Sequence, residues 1–383
     1  MVVSAKGNHG AVAAHGPALT CARGAIIAYP CTSCHDRSMS LMVDTQPRDF
    51  LSIADLSPAV LVDLVDRAAE LKAGRTRPAA PLAGMSVALI FQKPSLRTRV
   101  SFELGITQLG GTPIVLQGSE VGLGSREAAR DAARTLERYV DVIVARVFDH
   151  DVLEEMAAAV AIPVVNALSD REHPCQALAD MLTIHEHLGG FAGRRLVYVG
   201  DGNNVAASLL LAGASLLAGA SLGLDVRTVT PRDHAPDGQV VALARSLAVR
   251  TGALIEVEHD PAGALVGADA VYTDVWASMG QEKEAVARRD VFRAYALTPH
   301  LLAQAPDAMV MHCLPAHRGE EIEGEVLDGP QSVVFDQAEN RLWTQQALLA
   351  HLAGRTWQPA FGQEPLRLPL AAASVAAPLR SAH

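Results

Sequence analysis

Phe91-Gln92-Lys93-Pro94-Ser95-Leu96-Arg97-Thr98-Arg99 follows the apolar run Met85 to Ile90 and precedes the amphipathic stretch Val100 to Leu109. The order predicts a strand that ends in a turn and opens a helix. Such a turn leaves unpaired backbone N–H groups, and the helix dipole adds partial positive charge at the same point. Lys93, Ser95, Arg97, Thr98 and Arg99 place two hydroxyls, an ammonium and two guanidinium groups within seven positions. A solvated basic turn capped by Ser95 needs only one hydroxyl and one cation. This density of donors describes a site for a phosphate-like dianion.

Outward from that turn, strand-like runs alternate with helical periodicity. Leu56, Val60, Leu64, Ala68 and Leu71 recur at helix spacing before it. Strands are expected at Met85–Phe91, Thr112–Leu116, Val140–Val147 and Ile162–Ala167, with helices near 98–109, 126–138, 151–160 and 174–188. Gly189-Gly190 and Gly193 mark a break. A second series follows at Leu196–Val199, Asp225–Val229, Leu254–Val257, Ala270–Thr273, Met309–His312 and Val333–Phe335. Two consecutive series predict an α/β chain with two doubly wound parallel-sheet domains and an active site in the cleft between them. The apolar, Gly- and Ser-laced stretch from Val205 to Leu222 sits between two strand signals and reads as a buried crossover helix. A last helix at about 343–354 carries Leu348, Leu349 and Leu352 toward the first domain, and 362–383 form a loose Pro/Ala-rich tail.

At 383 residues the chain is long enough for two full cores. Its net charge of −10 argues against a general nucleic-acid surface or an anionic membrane as partner, so the basic turn is a local device. Residues 1–41 lack periodicity and read as a disordered leader or a start placed too far upstream, with Met39 or Met42 as the working start. Cys31-Thr32-Ser33-Cys34-His35 has the spacing of a haem attachment, but Ala25-Ile26-Ile27-Ala28 is too short an apolar core for export. Scattered cysteines, odd in number, suit a reducing cytoplasm, or the mitochondrial matrix if 1–41 were a transit peptide.

In open α/β sheets ligands bind beyond the carboxyl ends of the strands. The first series delivers Ser95–Arg99, Arg146 and His173-Pro174-Cys175-Gln176 to those positions. The second delivers Gly200-Asp201-Gly202-Asn203-Asn204, Asp274 through Gly280, His312-Cys313-Leu314-Pro315 and, after the sixth run, Asn340-Arg341. His173 and Gln176, three apart at a helix start, can face one ligand. Gly200-x-Gly202 evokes a dinucleotide loop, but Val205 takes the third glycine position and Thr228-Val229-Thr230-Pro231 offers no ribose-binding acid.

At these residues the chain resembles the aspartate/ornithine carbamoyltransferase family, from about Asp49 to Leu352. Ser95-Leu96-Arg97-Thr98-Arg99 is similar to its carbamoyl-phosphate loop and His173-Pro174-Cys175-Gln176 to its His-Pro-x-Gln element. Asp274-x-x-x-Ser278-Met279-Gly280 and His312-Cys313-Leu314-Pro315 resemble the ornithine branch. The resemblance implies a carbamoyl-phosphate-binding domain over 42–188, joined by the C-terminal helix at about 343–356, and an ornithine-binding domain over 189–342. It implies transfer from carbamoyl phosphate to L-ornithine, giving L-citrulline and phosphate, in arginine biosynthesis, its reverse, or the urea cycle. No cofactor or metal is implied, and a homotrimer or an assembly of trimers is.

By the same resemblance Ser95, Leu96, Arg97, Thr98, Arg146, His173, Pro174, Cys175, Gln176, Cys313, Leu314 and Arg341 hold carbamoyl phosphate. Asn204, Asp274, Ser278 and Met279 hold ornithine. Arg97, His173, Asp274, Cys313 and Arg341 carry the catalysis. Two positions depart from the pattern: Leu96 stands where many relatives carry Thr, and Gly122 where many carry a Gln that reaches a neighbouring subunit. Putrescine or N-acetylornithine as acceptor, or a non-catalytic phosphometabolite-binding regulator, are the alternatives.

Overall fold

Val87 through Phe91 are buried in an unbroken run, the signature of a parallel strand covered on both faces. In the computed structural model, which describes residues 48–75, 80–124, 126–216, 223–277 and 285–354, they belong to β1 (Ser86–Phe91). β1 pairs in parallel with β2 (Thr112–Gln117) on one side and β3 (Val142–Arg146) on the other, and β4 (Val164–Leu168) adds to β3. The order is β2-β1-β3-β4. The second sheet has the order β7-β6-β5-β8-β9, built from β5 (Arg195–Val199), β6 (Asp225–Val229), β7 (Ile255–Glu258), β8 (Ala270–Thr273) and β9 (Met309–His312), again all parallel.

Before β1 lies α1 (Pro58–Lys72), and the first sheet is threaded by α2 (Leu96–Gln108), the short α3 (Gly118–Val121), α4 (Ala129–Leu136) and α5 (His150–Ala159). α6 (Pro174–Leu188) leads into the second sheet, followed by α7 (Asn204–Ser215), α8 (Gly238–Thr251), α9 (Ala285–Phe292) and the single turns α10 (Pro299–Leu302) and α11 (Gly324–Leu327). α6 is buried from Pro174 to Ile184 and α7 from Val205 to Ser215. Helices buried on every face along such runs belong in an interior, and these two pack against each other along the seam between the sheets. No described helix is long and apolar enough to cross a membrane.

One expected element is absent. Val333–Phe335 is not a sixth strand: α12 runs from Val334 to Leu352. Among the described residues, only a single bridge, Val310 to Ser332, extends the sheet beyond β9. The β-branched pair Val333-Val334 and Phe335 look strand-like in isolation, but Asp336-Gln337-Ala338-Glu339 favours helix, with Asp336 in the first turn facing the helix dipole. Asn340 and Arg341 therefore sit on a helix rather than in a loop after a strand. α12 packs on α1, α2 and α6, which brings Arg341 under the first turn of α2. The 1–41 segment, the 362–383 tail and the 217–222 end of the crossover lie outside the described residues.

Candidate active site

The carboxyl ends of β1, β3, β4, β5, β8 and β9 converge on one cavity of about 320 Å³. Its first wall is cationic. Ser95 caps α2, accepting the Thr98 N–H at 3.3 Å, and the first helical turn presents Leu96, Arg97 and Thr98 to the space. Arg146 ends β3 where the pairing with β4 shifts by one residue, so that Ala145 faces Asn166 and Arg146 faces Leu168. Bulges of this kind re-aim side chains beside sites. Arg341 rises from α12, donating from Nη1 to Gln176 Oε1 at 2.6 Å and from Nη2 to Thr98 Oγ1 at 3.3 Å. Lys93 completes the set, its Nζ 4.7 Å from the centre of the Phe148 ring.

Four cations in one partly dry space repel. Burial first, and then Arg341 and Arg97, bring the Arg146 guanidinium down to about 10; Cys313 and Asp274 act against them. The group is still charged at neutral pH. Burial and Arg146 likewise lower Lys93. The imidazole of His173, the N-cap of α6, responds most strongly. Burial, then Arg341, Arg146, Arg97 and Lys93, hold it well below the ordinary histidine range, so it is neutral. Its backbone N–H is pinned to Ser208 Oγ of α7 at 2.9 Å, while its ring Nδ1 has no hydrogen-bond partner among the described residues. A neutral imidazole beside three guanidinium groups can donate one N–H without adding charge.

The opposite wall is built around Asp274. Its Oδ1 accepts the Cys313 thiol at 3.0 Å and its Oδ2 accepts Asn203 Nδ2 at 2.8 Å. Asn203 also caps α7, its Oδ1 receiving the Val205 and Ala206 N–H groups. Burial and Asp274 push the Cys313 thiol well above its ordinary value, so it is a hydrogen-bond donor rather than a thiolate. Leu314 has φ of 57°, a conformation L-residues rarely adopt. The turn is held by His312, whose Nδ1 accepts the Leu314 N–H at 2.8 Å and whose Nε2 lies 3.2 Å from Glu321 Oε1. The imidazole proton then resides on Nε2. Asn204 lines the cavity beside Asp274.

The cavity wall thus brings together Ser95, Leu96, Arg97, Thr98, Arg146, His173, Asn204, Asp274, Cys313, Leu314 and Arg341. It does not include Pro174, Cys175 or Gln176. Cys175 is a core residue, fully buried, its thiol pushed up to about 12 by burial and donating to the Asn166 carbonyl. Gln176 lies behind Arg341 with its Nε2 on Asp180 Oδ1 at 2.8 Å. Ser278, Met279 and Gly280 lie outside the described residues. Sequence reading assigned no role to Asn203, which it placed at the rim and which holds Asp274, or to Leu168, Val205 and His317, which line the cavity. Leu168, at the last position of β4, was within reach of the strand-end rule.

Gly122 adopts φ of 70°, and a Cβ there would meet Arg126 Cβ at 2.8 Å. That turn requires glycine, so this position presents no side chain to anything. Arg126 spends its guanidinium on the Glu120 and Val121 carbonyls of its own loop. Among the described residues, two groups carry metal-capable atoms within 4.8 Å of one another: Asp274, His312 and Cys313, and His317, Glu320 and Glu321. In the first, every such atom is engaged in the hydrogen bonds above or faces Glu321, which reads as a proton-bearing network.

A cationic wall able to hold a phosphate-like group faces, across one small cleft between two parallel sheets, a carboxylate wall suited to an amine. That arrangement defines a transferase acting between two small bound substrates. The chain belongs to the aspartate/ornithine carbamoyltransferase family. The family's carbamoyl-P binding domain matches residues 48–186 and its Asp/Orn binding domain residues 192–352. The chain is 54% identical to the ornithine carbamoyltransferase of Acidothermus cellulolyticus over 307 residues, covering 80% of this chain and 96% of that one. It is 47% identical to a Pyrococcus furiosus protein named ornithine carbamoyltransferase, anabolic, over 82% of this chain and 99% of the relative. The solved structure of the ornithine carbamoyltransferase from Pyrococcus furiosus superposes with a TM-score of 0.75 at 47% identity, covering 80% of this chain and 97% of that one.

Proposed function

We propose that the cavity transfers the carbamoyl group of carbamoyl phosphate to the δ-amine of L-ornithine, giving L-citrulline and phosphate. One observation carries the reading: Arg97, Arg146 and Arg341 share a single small cavity with the Asp274–Cys313 pair. Arg97, Arg146 and the amino end of α2 bind the phosphate. Neutral His173, Arg341 and the Thr98 hydroxyl stabilise the negative charge that grows on the carbonyl oxygen. The Leu314 carbonyl orients the carbamoyl NH₂. Asp274 and Asn204, with Ser278 and Met279, fix the α-amino and α-carboxylate groups of ornithine.

The attack is direct. A thiol held protonated beside Asp274 orients the amine and takes no acyl group, and the donor is already activated. The synthetic direction, in arginine biosynthesis, is supported by the relative named anabolic. Free thiols at Cys175 and Cys313 support a cytoplasmic setting. Leu96, Val100 and Leu104, spaced by four along α2 and all exposed, support a homotrimer or an assembly of trimers. Mass measurement in solution tests that assembly. A colorimetric assay for ureido products with L-ornithine, N-acetylornithine, putrescine and aspartate tests the chemistry. Turnover confined to L-ornithine is expected, and preference for another amine would displace the reading.

A further inference from the structure

We infer that Asp180, outside the cavity wall, is a positioning residue that sets the amide orientation of Gln176 and Gln337 and so locks the two sides of the site to one oxygen atom. Asp180 lies on α6 and is fully buried. Its Oδ1 receives Gln176 Nε2 at 2.8 Å and Gln337 Nε2 at 2.7 Å. A carboxylate oxygen only accepts, so both glutamines must turn their NH₂ groups toward it. Their carbonyl oxygens then point away, each at a donor. Gln176 Oε1 accepts Arg341 Nη1 at 2.6 Å, and Gln337 Oε1 accepts the His312 backbone N–H at 2.9 Å.

A flipped amide at either position would set donor against donor in a dry interior, where an unmatched polar group is costly. The consequences reach opposite walls. Arg341, so held, extends Nη2 to Thr98 Oγ1 on the cationic side. His312, so held, precedes Cys313, whose thiol donates to Asp274 on the other side. Burial lifts the Asp180 carboxyl to about 7, against the hydrogen bonds from Gln176, Gln337 and Tyr272, and Oδ1, held between two amide NH₂ groups, is an acceptor in either form.

The inference rests on the carbamoyl-transfer reading, which wild-type turnover tests by itself; the variants below are compared only with an active wild type. Asp180→Leu removes the acceptor at similar size. In the full chain kcat should fall about ten- to a hundredfold, while KM for carbamoyl phosphate stays within about threefold, since a misaligned Arg341 acts on the transition state. Isosteric variants decide the point even if that variant does not fold. Asp180→Asn keeps one acceptor oxygen at the shared point, with its NH₂ in the place of Oδ2, and should hold kcat within about threefold of wild type. Gln176→Glu sets two carboxylates together and should lower kcat about tenfold or more. A role limited to stability would move the melting point and leave kcat unchanged in every variant. Wild-type kcat in Gln176→Glu or in a folded Asp180→Leu, or a loss in Asp180→Asn as large as in Gln176→Glu, would overturn the inference.

Discussion

Replacing Arg146 with Met should make the enzyme more stable and nearly inactive at once. The guanidinium sits at the end of β3, 7% exposed, with an Nε that has no partner among the described residues and other cations around it. Its pKa falls from the ordinary guanidinium range to about 10 on folding, chiefly through burial. At about 1.4 kcal/mol per unit, this places a penalty on the order of 3 kcal/mol on the charged native state. Below about pH 10 the group is charged in both states, so the penalty is present throughout the neutral range, and it is relieved only as pH rises above that value. Met keeps the aliphatic stem and removes the charge, so urea unfolding of the ligand-free enzyme should show a gain of about 1–3 kcal/mol. Inorganic phosphate should stabilise wild type by mass action and the variant far less. Loss of one charge-stabilising donor should lower kcat/KM about a hundred- to a thousandfold. A variant less stable than wild type that still gains the full phosphate stabilisation would refute the reasoning.

Three further outcomes follow from the same geometry. Cys313→Ser keeps a donor for Asp274 and should retain most turnover, whereas Cys313→Ala should raise KM for L-ornithine about tenfold; a carbamoyl adduct on wild-type Cys313, seen by intact mass, would contradict direct attack. Asn203→Ala removes both the α7 cap and the Asp274 contact, costing about 1 kcal/mol in urea unfolding and raising KM for ornithine, while Asn203→Ser should recover the stability alone. Glu172, 6% exposed, has its carboxyl lifted by burial from 4.5 to about 7, so its contribution is full below pH 4.5 and is lost as pH rises through 7. Glu172→Gln should flatten that loss, on the order of 3 kcal/mol, in unfolding curves at pH 5 and pH 8.5.

The sheets were legible because strands buried on both faces read as continuous apolar runs, and Asp225–Val229, Ala270–Thr273 and Met309–His312 match residue for residue. Val333–Phe335 was not, because a three-residue apolar run carries no period, and helix propensity only asserts itself from Asp336. The strand-end rule placed Arg97, Arg146, Asp274 and Cys313 at the rim. It could not tell that Gln176 turns from the cavity toward Arg341, since spacing gives the face of a helix but not the direction of an amide. Asn203 was placed at the rim without a role, because a cap and a carboxylate clamp look alike in sequence.

The most direct test is titration of wild type with δ-N-(phosphonoacetyl)-L-ornithine, a stable compound that joins donor and acceptor across the bond to be formed. If both walls act on one reacting centre, it should bind at least about a hundredfold tighter than inorganic phosphate or L-ornithine alone and compete with carbamoyl phosphate. Affinity no better than that of inorganic phosphate would contradict the account.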